Sequence, residues 1–227
     1  MFEAQNTQLR RGSKNSFLKL LVFYKGNWVL DVGSNIGTFI DCVIDEFPDA
    51  SILAFEPVKR YYRYTVKKFK DKENILIENS ALGDEEKDAL IHVAKNNIGW
   101  NTMIEDMSDE DNNRTIEKVK TVRFDQYIDC IEMDEIFDIV KIDTEGYESK
   151  VLNGMRHFLR DQKPTIVCEV AWGIEHPHWE EELEAFEFLY HLGYDSFPKR
   201  EKLLELNHTM DFIFSTQSEI LDKNYET

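Results

Sequence analysis

Cysteine is scarce in this chain of 227 residues, and its three copies stay apart. Cys42, Cys130 and Cys168 form no CxxC pair and sit in apolar surroundings, which argues against a disulfide framework or a zinc knuckle. Buried thiols suit a reducing compartment, so a cytoplasmic location is expected. Cationic charge is short as well: 27 lysines and arginines face 44 aspartates and glutamates, a formal net charge of −17. A surface that negative repels phosphate backbones, and no nucleic-acid partner is expected. No apolar run reaches membrane-spanning length. The run at 17–23 follows Arg10, Arg11 and Lys14 as a secretory leader would, but Lys19 interrupts it and no small-residue cleavage site follows. A short amphipathic helix, part of an N-terminal extension over 1–27, is the expectation there.

What is present is alternation. Short apolar runs at 28–32, 51–55, 75–78, 136–142 and 165–170 read as buried parallel strands. Helical spacing separates them: Ile36, Phe39, Ile40, Val43, Ile44 and Phe47 before Pro48; then Val151, Leu152, Met155, Phe158 and Leu159; then Trp179, Leu183, Phe186, Leu189 and Tyr190, with Gly193 as a cap. Strands alternating with helices give an α/β domain over 28–227, its parallel sheet covered on both faces. Runs at 194–197 and 211–214 fit an antiparallel hairpin closing one edge. The segment 89–122 breaks the rhythm with two strand-like runs around an acidic stretch at 105–114, and reads as an insertion forming a partial lid. Arg60, Arg63, Lys67, Lys68 and Lys70 make a basic helical face, expected to be solvated.

The segment Leu30-Asp31-Val32-Gly33-Ser34-Asn35-Ile36-Gly37-Thr38 carries the first chemistry. A buried strand runs into a glycine-bearing turn that opens a helix. Gly33 permits the sharp turn and Gly37 a close approach of helix to ligand, with Ser34 and Asn35 between them. Asp31 can receive the cationic amino group of an amino-acid moiety. The fingerprint of dinucleotide binding, GxGxxG, lacks its third glycine here, so an NAD-dependent oxidoreductase is the weaker alternative. Next, Phe55-Glu56-Pro57 puts a carboxylate at the end of the second strand, where it can accept both hydroxyls of a ribose. The small Ser80 and Ala81 at the third strand leave room for an adenine.

The fourth long strand ends in Lys141-Ile142-Asp143-Thr144-Glu145-Gly146-Tyr147-Glu148. This run resembles the K-x-D-x-E-G-x-E signature of the FkbM family of methyltransferases. The loop at 30–39, the Phe55-Glu56-Pro57 strand end and the later Pro164-Thr165-Ile166-Val167-Cys168-Glu169-Val170 are similar to that family's other landmarks, in the same order. The resemblance implies a doubly wound, mostly parallel seven-stranded sheet of the Rossmann-like class I type. It also implies S-adenosylmethionine (SAM) as donor, S-adenosylhomocysteine as product, and a hydroxyl of a sugar, glycan or polyketide-like small molecule as acceptor. On that reading Asp31, Gly33, Asn35, Gly37, Glu56 and Ala81 line the cofactor pocket and Asp143 lies near the transferring methyl.

A sulfonium methyl is already electrophilic, so alignment of the acceptor oxygen and removal of its proton remain for the protein. Asp143 and Glu145 can take that proton, with Lys141 orienting the first. His176 or His178 is an alternative base. Glu169, Trp172 and His178 form the rim of the expected acceptor pocket, and Trp100 is placed to stack on an acceptor ring. Glu169, Asp143 and a histidine can also hold a divalent cation that orients a diol, but no metal is assigned. Glu148, in the first turn of the following helix, is read as favoured there by the helix dipole. A SAM-binding module without catalysis is the remaining alternative; mere binding does not require the Lys141-x-Asp143-x-Glu145 pattern.

Overall fold

Strands whose residues are apolar without a break need cover on both faces, and those at the centre of this sheet have it. The computed structural model describes residues 20–95, 99–105 and 114–225. Its strands are β1 (Trp28–Val32), β2 (Ile52–Phe55), β3 (Ile75–Glu78), β4 (Ala81–Leu82), β5 (Lys87–Ala94), β6 (Arg114–Val122), β7 (Phe137–Ile142), β8 (Thr165–Val170), β9 (Asp195–Phe197) and β10 (Met210–Ser215). Its helices are α1 (Thr38–Glu46), α2 (Lys59–Lys68), α3 (Phe124–Cys130), α4 (Glu148–Gly154), α5 (Arg156–Gln162), α6 (Trp179–His191), α7 (Arg200–Leu204) and α8 (Ser218–Tyr225).

The seven-stranded sheet runs β3-β2-β1-β7-β8-β10-β9. Neighbours from β3 to β8 pair in parallel, and β10 is antiparallel to both β8 and β9. The expected edge hairpin is present as this antiparallel pair, but β10 inserts inside β9 and α7 occupies the connection. Strand period decides the two layers. Leu30, Val32, Phe55, Val140 and Ile142 face one side and pack with α4, α5 and α6 through Val151, Leu152, Phe158 and Phe186. Val29, Ile52, Ala54 and Ile139 face the other, against Phe39, Ile40 and Val43 of α1. Leu20, Leu21 and Phe23 join that second layer from a single 3-10 turn. The rest of the expected N-terminal helix lies outside the described residues. Each such buried side chain contributes about 1.5–3 kcal/mol relative to exposure.

Two local readings change. The pattern from Val151 to Leu159 is two helices, not one, because Met155 leaves the helical region at φ −125°, ψ 24°. Gly154 presses on the chain at Gly83, where a Cβ would stand 1.9 Å from the carbonyl oxygen. Asp125 then caps the new helix by accepting from the amides of His157 and Phe158. The apolar spacing survives because both helices face one core. At the end of α6, Gly193 (φ +89°) donates to Tyr190 and Tyr194 donates to Leu189, a Schellman cap as expected.

The irregular segment forms a second sheet, β4-β6-β5, that begins before residue 89. Most of its acidic stretch lies outside the described residues. Among the described residues no helix is long and apolar enough to cross a membrane.

Candidate active site

Register brings the strand ends together. Val32 of β1 pairs with Phe55 of β2 on one side and Ile142 of β7 on the other, and Ile142 pairs with Cys168 of β8. The turn after β1, Glu56, Asp143 and Glu169 therefore stand side by side at the carboxyl ends. The chain leaves β1 toward β2 and leaves β7 toward β8, in opposite directions, so the crevice between β1 and β7 is the switch point where open α/β sheets bind ligands.

Backbone geometry explains the glycines. Gly33 lies at φ +79°, and a Cβ there would fall 2.0 Å from the carbonyl oxygen of Asp143. Only glycine lets the turn and the exit of β7 pass so closely. Gly37 (φ +73°) serves a different neighbour: a Cβ would meet the Phe69 ring at 2.6 Å, so it admits α2 rather than a ligand. The amides of Gly33 and Ser34 both donate to Phe55 O at 3.0 Å, and that of Asn35 to Glu56 at 2.7 Å. Amides engaged in this way do not cradle a pyrophosphate, which counts against a dinucleotide. Lys68 is not a solvated member of the basic face. Its ammonium donates to Ile36 O (2.9 Å) and Gly37 O (3.3 Å) and pairs with Asp41 at 2.6 Å, bracing the turn.

Glu56 is 4% exposed and accepts from Asn35 N and Val58 N, both at 2.7 Å. Burial pushes its carboxyl up to about 7, partly offset by these two bonds. At the end of β7, Lys141 is buried with its ammonium 3.1 Å from Asp143, 3.4 Å from Asp31 and 3.2 Å from Gly33 O. Burial alone would lower its pKa; the Asp143 and Asp31 carboxylates outweigh that and raise it. Asp31 is fully buried, and burial raises its pKa against the pull of Lys141.

A cavity of about 530 Å³ opens over these strand ends, within the roughly 300–1,000 Å³ common for ligand sites. Gly33, Asn35, Glu56, Pro57 and Ala81 line the expected cofactor half, and Lys141, Asp143, Glu145, Glu169 and Trp100 the other. Trp100 is 55% exposed, its carbonyl held by Arg114 at 2.7 Å. Glu145, in the left-handed region at φ +53°, is pushed up to about 8, first by burial and then by Asp143 and Glu148. Glu169 is pushed up to about 10, by burial first and then by Asp143, Glu145, Glu148 and Asp211. One oxygen each from Asp143, Glu145 and Glu169 lie within 4.8 Å of one another, close enough to share a hard cation or a proton.

Among the described residues, Asp31, Ser34, Gly37, Ser80, Trp172, His176 and His178 do not line the cavity. Asp31 stands behind Lys141, so the ammonium, not the carboxylate, meets the cavity there. His176 is 4% exposed and has both ring nitrogens engaged. Its Nδ1 accepts from His178 N at 3.0 Å, so the proton sits on Nε2, which donates to Gly146 O at 2.9 Å. That geometry leaves no nitrogen for an acceptor's proton, and burial lowers the ring's pKa further. Trp172 covers Gly146, where a Cβ would come 2.4 Å from its ring, and His178 is exposed to solvent.

Sequence reading missed several wall residues: Val58, Leu82, Asn101, Met103, Tyr147 and Asp211. Tyr147 follows directly in the Lys141 to Glu148 signature, and a Cβ at Gly83 would meet its ring at 3.2 Å. Asp211 carries no local signal; antiparallel pairing sets it opposite Glu169.

The sequence pattern of the FkbM methyltransferase domain matches residues 31–196. No curated protein matches the chain. Among solved structures, an FkbM methyltransferase from Methylobacillus flagellatus KT is similar with a TM-score of 0.54 at 14% identity, covering 83% of this chain. This chain spans 43% of that protein's length. The fibrillarin pre-rRNA processing protein of Methanococcus jannaschii aligns with a TM-score of 0.51 at 13% identity, covering 90% of this chain and 76% of its own. At these identities the likeness concerns the fold, while the domain match, spanning most of the chain, concerns descent. The chain belongs to the FkbM family of SAM-dependent methyltransferases and carries their class I α/β fold.

Proposed function

We propose that this protein transfers the methyl group of SAM to a hydroxyl oxygen of a carbohydrate or polyketide-like small molecule. The observation that carries the reading is Asp143, which shares one cavity with Glu56 and is held 3.1 Å from the buried Lys141 ammonium. When bound, SAM supplies an electrophilic methyl on a cationic sulfonium. The residues present fit it. Glu56 ends its strand where it can accept ribose hydroxyls, Ala81, Leu82 and Tyr147 line the same cavity with room for an adenine, and the Asp143 carboxylate suits a positive ligand.

The chain's own part is orientation and proton removal. Asp143, with a side chain 39% exposed at the cavity floor, would take the proton that the acceptor hydroxyl gives up on methylation. Lys141 fixes that carboxylate from behind. Glu145 and Glu169, pushed up to about 8 and about 10, hold protons at neutral pH and can donate hydrogen bonds to a neighbouring acceptor hydroxyl. Trp100 offers an exposed ring face, and the segment 89–122 acts as a partial lid on one 28–227 domain. Cys42 and Cys168, buried and without a disulfide, support a cytoplasmic setting.

Two measurements test this. Calorimetry with SAM reports cofactor binding. Transfer of labelled methyl from SAM into extract fractions, followed by mass spectrometry, identifies the acceptor atom. Labelling at nitrogen or carbon rejects the oxygen assignment.

A further inference from the structure

Glu148 does more than complement a helix dipole. Its carboxyl turns back over the preceding loop, and one oxygen, Oε1, accepts from three donors: Thr144 N at 3.1 Å, Thr144 Oγ1 at 2.9 Å and Gly146 N at 3.2 Å. Glu148 itself is 1% exposed. The loop it spans is the one that carries Asp143 and Glu145. Glu145 and Gly146 are both left-handed there, at φ +53° and +95°. A residue with a side chain keeps such a conformation only where its surroundings over-determine it. Two further ties finish the job, Thr102 Oγ1 donating to Glu145 O and His176 Nε2 donating to Gly146 O. Behind Glu148, the buried Glu182 of α6 accepts from Ser149 N and Oγ. Helix α4 does not depend on these bonds, because Val151 and Leu152 are fully buried in the core. The loop does.

We propose that Glu148 is a positioning residue, holding the 143–146 loop in the conformation that sets both Asp143 and Glu145 on the cavity wall. The inference rests on the methyl-transfer reading for its functional meaning, and its physical content is that the reach of the Glu148 oxygen matters more than its charge.

Two variants of the full chain separate reach from charge. Glu148→Gln keeps an acceptor oxygen at the same distance and removes the charge. Glu148→Asp keeps the charge and withdraws the oxygen by one methylene. The readout is the pH midpoint of the Glu145 carboxyl carbon by NMR, assigned through Glu145→Gln. Charges that bear on it are Asp143, Glu148, Arg114 and Lys141, with the Glu169 carboxyl also within 4.8 Å, but burial is the largest influence. Expected is a midpoint near 8 in the wild type, one still well above 4.5 in Glu148→Gln, and a fall toward 4.5 in Glu148→Asp as the loop relaxes. SAM affinity by calorimetry is expected to stay at the wild-type level in both. With an acceptor in hand, kcat of Glu148→Asp falls by about 100-fold at unchanged acceptor KM, as expected when a catalytic group shifts by about 1 Å, and Glu148→Gln restores most of it. The inference is overturned if Gln lowers the midpoint as far as Asp does or further, or if neither moves it. A wild type that fails to bind SAM sinks the methyl-transfer reading instead, while the comparison of midpoints still decides the role of Glu148.

Discussion

Asp31 and Lys141 are register partners on adjacent parallel strands, and their opposite charges meet 3.4 Å apart at the back of the cavity, with Asp31 fully buried. The pair accounts for an acid in the middle of a sheet. It also makes Lys141 a bridge, its charge shared between Asp31 on one side and Asp143 at the cavity floor on the other.

Removing the bridge strands a charge. Lys141→Met leaves Asp31 buried and uncompensated, a change expected to cost about 3–5 kcal/mol of stability in urea denaturation. Adding Asp31→Asn recovers part of the loss, because no charge then remains buried. Activity does not return with stability, since Asp143 has lost its partner.

Glu56 serves both turn and ligand. In Glu56→Ala the amides of Asn35 and Val58 lose their acceptor, and SAM affinity is expected to weaken by about 10- to 100-fold, the range for losing a charged hydrogen-bond partner. Calorimetry reads the affinity, and unchanged binding would remove Glu56 from the cofactor site.

Asp143→Asn keeps the shape and removes the base. It is expected to bind SAM at wild-type affinity while turnover on the identified acceptor drops by about 10²- to 10⁴-fold. Full turnover in this variant places the base elsewhere, with Glu145 the next residue to replace.

Stability depends on pH through a set of buried acids. Glu56 and Glu148 are raised to about 7, and Glu145 and Glu182 to about 8, chiefly by burial, from an ordinary 4.5. Above 4.5 the folded chain holds protons that the unfolded chain has released. Their contribution is therefore complete below that value and is lost as pH rises through 7 to 8. Thermal melts at fixed ionic strength are expected to show a falling Tm from about pH 5 to about pH 8.5. A Tm that rises over that window contradicts the buried placement of these carboxyls.

Much of the fold was readable in one dimension. The runs at 28–32, 75–78 and 165–170 coincide with β1, β3 and β8, because hydrophobicity of period two or without interruption is a local record of burial. The order of acids and glycines at successive strand ends was equally plain, since each lies within a few residues of a turn. The break at Met155 was not, because Gly154 answers to Gly83, a neighbour 71 positions away in the chain.

Sequence alone determined which residues are buried, where the chain turns and which acids end strands; that much follows from local covalent geometry and solvent preference. Which of those acids meets a ligand was decided by packing between distant segments. Register placed Lys141 in front of Asp31, antiparallel pairing carried Asp211 beside Glu169, and the 173–178 turn brought His176 against Gly146 with both nitrogens spent. Such facings depend on distances between strands and loops that have no counterpart in the spacing of residues along the chain.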